Sequence, residues 1–363
     1  MRAVAISAVL YGHAALIYYQ QESPIKLDGV GIFFVLSGYL IGGILFNALN
    51  KPQFTFKHLL SFWVNRWLRT LPAYYIVLTF LIVFTNQQST LWGFNPHDVW
   101  KYYLFIQSMF KNTYIFFSES WSLAIEEWFY LLVPILFFIS LKLGFKTQQV
   151  VLFWVIFIIT VGLLLKLLVY STVDFTDASA WDNRIRKPTV LRLDSIMLGV
   201  AAAYIKYYTP IFWQKLKAKI FWCLGILFLV VGACLFLLTS LFPLSYIAFI
   251  SIYLNTIGAF LILPALSGVR SGSGVLYKIT TFLSKISYSV YLVNFCVFRI
   301  VWQNLEHLHH RVATHLHISE TIFFTKSYHL FWYFLFAIGG AYVLYSVVEK
   351  PFMRLRNRLR IAY

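Results

Sequence analysis

Ten runs of about 20 apolar residues recur along this 363-residue chain, and they restrict its fold more tightly than any other feature. They lie near 3–20, 29–47, 62–85, 122–141, 149–171, 189–208, 219–240, 244–266, 279–303 and 328–349. In lipid each segment must satisfy its own backbone polar groups, so runs of this length read as helices. The expected fold is all-α: a polytopic membrane protein with about ten transmembrane helices, forming one membrane domain over 1–363. No appended soluble domain, repeat or low-complexity linker is expected. Composition agrees, with 60% hydrophobic and 12% charged residues and a mean hydropathy of +0.73; a soluble domain of this size carries about 25% charged residues. The first run lacks a small-residue cleavage pattern and holds a histidine at its centre, so it reads as a mature helix and not a signal peptide. Cys223, Cys234 and Cys296 sit inside apolar runs without metal-ligand spacing and read as packing residues.

Orientation follows from the 30 Lys and Arg, because cytoplasmic loops retain positive charge. With the N-terminus inside, one set of loops and tails holds 19 of them, the other set 8, and Lys166, Arg192 and Arg299 fall within spans. Both termini are therefore expected to be cytoplasmic. The net charge of +17 is explained by this asymmetry and by anionic headgroups of the bilayer, so no nucleic-acid partner is read from it.

Arg2 and His13 are eleven residues apart, which brings them to within about 20° of one helix face. At 1.5 Å per residue His13 stands roughly 16 Å beyond Arg2, about halfway through a hydrocarbon core of about 30 Å. Ionisable groups at that depth are costly and commonly face a cavity or a functional pathway. Position alone leaves two readings open: a neutral histidine hydrogen-bonded between helices, or a functional group. Arg66 and Arg69, three residues apart, share a face. They suit either phosphate binding by two guanidinium forks or an ordinary positive-inside anchor.

Seven stretches together carry a resemblance to one family. They are R-A-V-A from Arg2 with His13 following, GVGIFFVLSGYLIGGILF at 29–46, RWLRTLPAYY at 66–75, WSLAIEEWFYLLVP at 121–134, RLDSIMLG at 192–199, KISYSVYLVN at 285–294 and YSVVEKP at 345–351. In order and spacing the chain resembles, over essentially its whole length, the acyltransferase-3 family of bacterial membrane proteins that O-acylate surface glycans. The resemblance implies that His13 is the catalytic histidine, that Arg2 is the motif arginine on the cofactor side, and that Arg66 and Arg69 bind the phosphates of CoA. It likewise implies acetyl-CoA as co-substrate, a glycan or glycolipid acceptor, and the bacterial inner membrane as location. Ser37, Gly38 and Tyr39 look like the family's S-G-aromatic element, with Ser37 and Tyr39 on the tunnel or acceptor side. Two departures stand out. Relatives usually carry several residues, commonly including an acidic one, before the arginine, which raises the expectation of a truncated or misassigned start. Asn294 occupies a position where many relatives carry a histidine, so that position is not expected to transfer protons here.

The chemistry fits the residues. An acyl thioester transfers to a hydroxyl once the hydroxyl proton is removed, and neutral imidazole suits that task near pH 7. Glu126 and Glu127 point about 100° apart on one helix, so one can face a cavity while the other pairs with protein. Glu127 is the expected lumenal partner, orienting the imidazole or holding acceptor hydroxyls. Arg192 and Asp194 are expected on the acceptor side, either at the site or as a structural ion pair with each other. Trp63, Trp67 and Tyr74 read as interfacial belt residues. The segment EHLHHRVATHLH at 306–317 reads as an outer loop; its five histidines lack tetrahedral spacing, and no metal is expected. RLRNRLR at 354–360 reads as a cytoplasmic anchor. The rival reading is a proton-coupled transporter or flippase of a glycan or lipid precursor that uses His13, although no matched pair of broken helices is legible; a catalytically inactive scaffold is a third.

Overall fold

The computed structural model describes residues 1–19, 25–51, 54–86, 95–110, 116–172, 178–269, 271–316 and 325–358. Lys111, Arg270 and Arg360, which enter the charge count, and His317 of the histidine-rich segment lie outside the described residues. The long helices in chain order are α1 (Arg2–Tyr19), α2 (Gly29–Leu49) and α3 (Phe56–Asn86). After a short α4 (Val99–Tyr103) come α5 (Ser120–Lys142), α6 (Thr147–Thr172), a single turn α7 (Ala178–Trp181) and α8 (Thr189–Tyr208). Beyond α9 (Pro210–Lys215) lie α10 (Lys219–Cys234), α11 (Leu244–Leu266), α12 (Gly274–Val293), α13 (Cys296–Leu316), α14 (Lys326–Leu344) and α15 (Lys350–Arg358). No strand occurs among the described residues.

The chain is a multi-pass membrane protein. Seven helices among the described residues are long and apolar enough to cross a bilayer, or eight if α12 and α13 together make one span. All ten apolar runs are helical, but the described apolar part of α1 ends at Leu16 and is shorter than a full span. α8 is 20 residues long and carries Arg192, Asp194 and Lys206, which lower its hydropathy. Large apolar side chains on α6 and α10, such as Phe153, Ile156, Leu164, Leu227 and Val230, are exposed, as a lipid-facing surface requires.

α1 packs on α2 to one side and on α12 and α14 to the other. One apolar core joins α1 and α3 to α12 and α14 around Ile6, Leu10, Tyr74, Val290 and Tyr333; a second joins α2, α5, α6 and α8 around Phe34, Phe129 and Met197. The α2–α8 crossing is the tightest. A Cβ on Gly38 would collide with the Ile196 carbonyl, and one on Gly199 with the Val35 carbonyl, so only glycine allows these backbones to meet.

Two sequence expectations are corrected. The run over 279–303 is not one straight span: α12 and α13 meet at 65°. The break follows Asn294, the C-cap of α12, and the first backbone N–H of α13, on Cys296, donates to Glu119 Oε1 at 2.8 Å. A distant carboxylate thus caps a helix start, which no local turn residue announces. The segment from 306 is likewise helix and not loop: α13 runs through it to Leu316, with His309 buried and its Nε2 3.0 Å from the Tyr328 hydroxyl of α14.

Candidate active site

His13 projects from α1 onto the break between α12 and α13. Its Nδ1 is hydrogen-bonded to Asn294 Oδ1, and its ring lies 4.5 Å from the Phe295 ring, tilted by 31°. Beside it opens a cavity of about 370 Å³. Its polar wall combines Ser118 and Glu119, from just before α5, with Asp28 and with Asp182, Arg186 and Lys187 from the turn before α8. Trp121, Tyr291 and Phe295 supply aromatic faces. The turn is internally paired: Asp182 pairs with Arg186 and lies 2.5 Å from Lys187 Nζ. Burial pushes the Asp182 carboxyl up, but the two cations outweigh it and hold it down at about 2. Arg186 also lies 4.9 Å over the Trp121 ring.

A second polar group gathers around Tyr130 on α5. Its hydroxyl donates to Glu126 Oε2 at 2.8 Å, stands 2.5 Å from Ser37 Oγ on α2, and accepts from Arg66 Nη2 on α3. Arg66 also pairs with Glu126 at 3.3 Å and stacks 4.1 Å over the Tyr130 ring. Arg2 and Arg69 lie near the same group, where the charges of Arg66 and of Glu349 act on each. Neither the Arg2 nor the Arg69 guanidinium has a hydrogen bond or ion pair among the described residues. The two arginines of R-x-x-R thus differ in surroundings: Arg66 is held by Glu126 and Tyr130, whereas the Arg69 guanidinium, like that of Arg2, has no partner among the described residues.

Sequence spacing brought together some expected residues and not others. Glu127 does not reach His13; its Oε1 accepts from Thr70 Oγ1 at 3.0 Å and its buried Oε2 has no hydrogen-bond partner among the described residues. The carboxylate whose charge acts on His13 is Glu119. Ser37 belongs to the Arg66 group. Tyr39, two residues on and so across the helix, accepts instead from Lys206 Nζ at 2.8 Å and stacks on Trp213 at 5.8 Å. Arg192 and Asp194 do not pair with each other: Arg192 reaches Asp28 at 3.1 Å and Asp194 reaches Lys166 at 2.5 Å. Trp63 and Tyr74 are buried rather than interfacial, donating to the carbonyls of Tyr130 at 2.9 Å and Tyr102 at 3.0 Å. Cys223 is exposed and so is not a packing residue, while Cys296 is buried. No group of three or more metal-ligating side chains occurs among the described residues.

Glu119, Tyr130 and Glu349 line these two groups without having been singled out in the sequence, and Asn294 stood out there only as a departure from a histidine. Glu349 is 2% exposed and accepts from Ser289 Oγ at 2.9 Å at the end of a π-helical turn, Tyr345–Glu349. A carboxylate within the apolar YSVVEKP was a legible signal; Glu119 and Tyr130 depend on contacts between distant segments.

A family model described as an acyltransferase domain, that of the acyltransferase-3 family, matches residues 1–350. Among curated relatives, peptidoglycan O-acetyltransferase OatA of Listeria monocytogenes is 29% identical over 240 residues, covering 60% of this chain and 35% of its own. O-acetyltransferase OatA of Staphylococcus aureus is 29% identical over 196 residues, covering 49% of this chain and 30% of its own. The S. aureus (strain COL) relative SACOL0978 is 26% identical over 328 residues, covering 83% of this chain and 50% of its own. The chain thus spans about half the length, or less, of the curated relatives it matches. No solved structure matches it.

Proposed function

Because the chain belongs to the acyltransferase-3 family, whose model matches residues 1–350, we propose that it is an O-acetyltransferase. In this reading it moves an acetyl group from cytoplasmic acetyl-CoA to a hydroxyl of a cell-surface or exported glycan at the bacterial inner membrane. Both termini face the cytoplasm, so Arg2, Arg66 and Arg69 meet the donor and the His13 cavity meets the acceptor. The observation that carries this is the pair of guanidiniums, Arg2 and Arg69, without a side-chain partner among the described residues, at the end of the bundle where α1 begins, with His13 roughly 16 Å further along the same helix. A guanidinium without a protein partner is suited to phosphate, and CoA carries several.

In the transfer step the acceptor oxygen attacks the thioester carbonyl carbon as His13 takes the hydroxyl proton. The C–O bond forms, the C–S bond breaks, and the imidazolium returns its proton to the departing thiolate. In this reading the charge of Glu119, which acts on the imidazole, supports that transient imidazolium.

Replacing Arg69 with Ala tests the donor assignment. The KM for acetyl-CoA of the purified protein is expected to rise about 10-fold or more, the loss of one charge-assisted contact, with membrane protein level unchanged. An unaltered KM would remove Arg69 from the donor site.

A further inference from the structure

The hydrogen bond between His13 and Asn294 has a direction that the rest of the structure fixes. Asn294 Nδ2 donates to the carbonyls of Val290 at 2.9 Å and Tyr291 at 2.8 Å, so the amide nitrogen faces the last turn of α12 and the amide oxygen faces the imidazole. A carbonyl oxygen carries no hydrogen. The proton in this contact therefore belongs to His13 Nδ1, which leaves the lone pair on Nε2.

We propose that Asn294 is a positioning residue that holds His13 in the tautomer whose Nε2 is free to take the acceptor proton. This rests on the O-acetyl transfer reading. Three consecutive residues at the α12–α13 break serve it: Asn294 fixes the tautomer, Phe295 lies against the ring, and the Cys296 N–H binds Glu119 Oε1. Ser118 Oγ holds the other Glu119 oxygen at 3.2 Å, so the break and the cavity carboxylate are set together. The charges that act on the imidazole are those of Glu119, Arg186 and Lys187, all on the segments flanking the cavity. When Nε2 gains a proton, Nδ1–H keeps the same acceptor, so the proton is taken up and returned without rearranging the partner. A histidine at position 294 would lack this property, because its own ring can change tautomer or charge.

The test combines one spectrum with one kinetic series. Solid-state ¹⁵N spectra of the histidine-labelled native protein, with His13 assigned by its loss in His13→Gln, are expected to show Nδ1 protonated and Nε2 bare. Transfer is followed as radiolabelled acetyl passing from acetyl-CoA into the glycan fraction of membranes. Asn294→Ala is expected to lower the maximal rate about 10- to 100-fold, part of what a positioned base contributes, while the KM for acetyl-CoA stays within about twofold, since the donor contacts are untouched. Asn294→Asp is expected to move the acid limb of the rate–pH profile upward by about 1 pH unit, because a carboxylate favours the imidazolium. A native spectrum with the proton on Nε2 overturns the proposal without needing any variant to fold. So does an Asn294→Ala protein with native rate and pH profile. Full transfer by His13→Ala would instead sink the catalytic reading of His13, a separate outcome.

Discussion

Arg192 and Asp194 lie two residues apart on α8 and point to opposite sides of it. Arg192 Nη2 reaches Asp28 Oδ2 at 3.1 Å, at the start of α2, while Asp194 Oδ2 takes Lys166 Nζ from α6 at 2.5 Å. Two helical steps are about 200°, so the pairing suggested by their adjacency is geometrically closed. Asp28 also accepts from the Gly31 N–H at 2.9 Å, which makes it the N-cap of α2 as well as the counter-ion of Arg192.

The Lys166–Asp194 pair is buried, with side chains 0% and 4% exposed, and Tyr253 donates to the same Asp194 oxygen at 3.2 Å. Asp194→Ala alone is expected to destabilise the protein by about 3–5 kcal/mol, because it strands a buried charge. Removing both charges with Lys166→Met and Asp194→Leu is expected to restore most of that loss. Thermal unfolding in detergent of Lys166→Met, Asp194→Leu and the double variant checks it; additive losses would mean the two residues are not coupled.

The α2–α8 crossing depends on glycine. Gly38→Ala is expected to cost about 1–3 kcal/mol or more, since neither backbone can yield to the new methyl. Gly43→Ala, on the same helix, would meet nothing within 4 Å and should be tolerated. Detergent melting temperatures of the two variants decide the matter, and equal temperatures would contradict the close approach.

Tyr130 holds Arg66, Glu126 and Ser37 through one hydroxyl. Tyr130→Phe leaves Ser37 and Glu126 each short of a partner, at a cost of about 1–3 kcal/mol. It is expected to lower the melting temperature and to weaken acetyl-CoA binding less than Arg69→Ala does. Titration of CoA by thermal shift compares the two variants, and the reverse order would make Arg66 rather than Arg69 the principal phosphate ligand.

Charge asymmetry, 19 Lys and Arg against 8, predicts cytoplasmic termini. A fluorescent protein fused after Tyr363 should therefore fluoresce, and alkaline phosphatase fused in the turn at Lys187 should be active. Inactive phosphatase at that position would invert the orientation and put the His13 cavity on the donor side.

Much of this was legible in the chain. Apolar run length marks the helices, and the eleven-residue spacing puts Arg2 and His13 on one face of α1. What escaped has a common cause: it depends on partners far away in sequence. The break after Asn294 contains no proline or glycine and rests on Glu119, 177 positions from Cys296. Arg66 and Arg69 look equivalent as R-x-x-R, and only α5, with Glu126 and Tyr130, separates them. Glu126 and Glu127 were separable by helical angle, but their neighbours were not readable from angle alone.

The central claim is that His13 catalyses acetyl transfer to a surface glycan. Mass spectrometry of total surface glycans from cells carrying the native gene, a deletion, or His13→Ala at matched membrane levels tests it without a prior choice of acceptor. One acetyl increment is expected with the native gene and is expected to be absent from both the deletion and His13→Ala. An acetyl increment that disappears on deletion but persists in His13→Ala would contradict it.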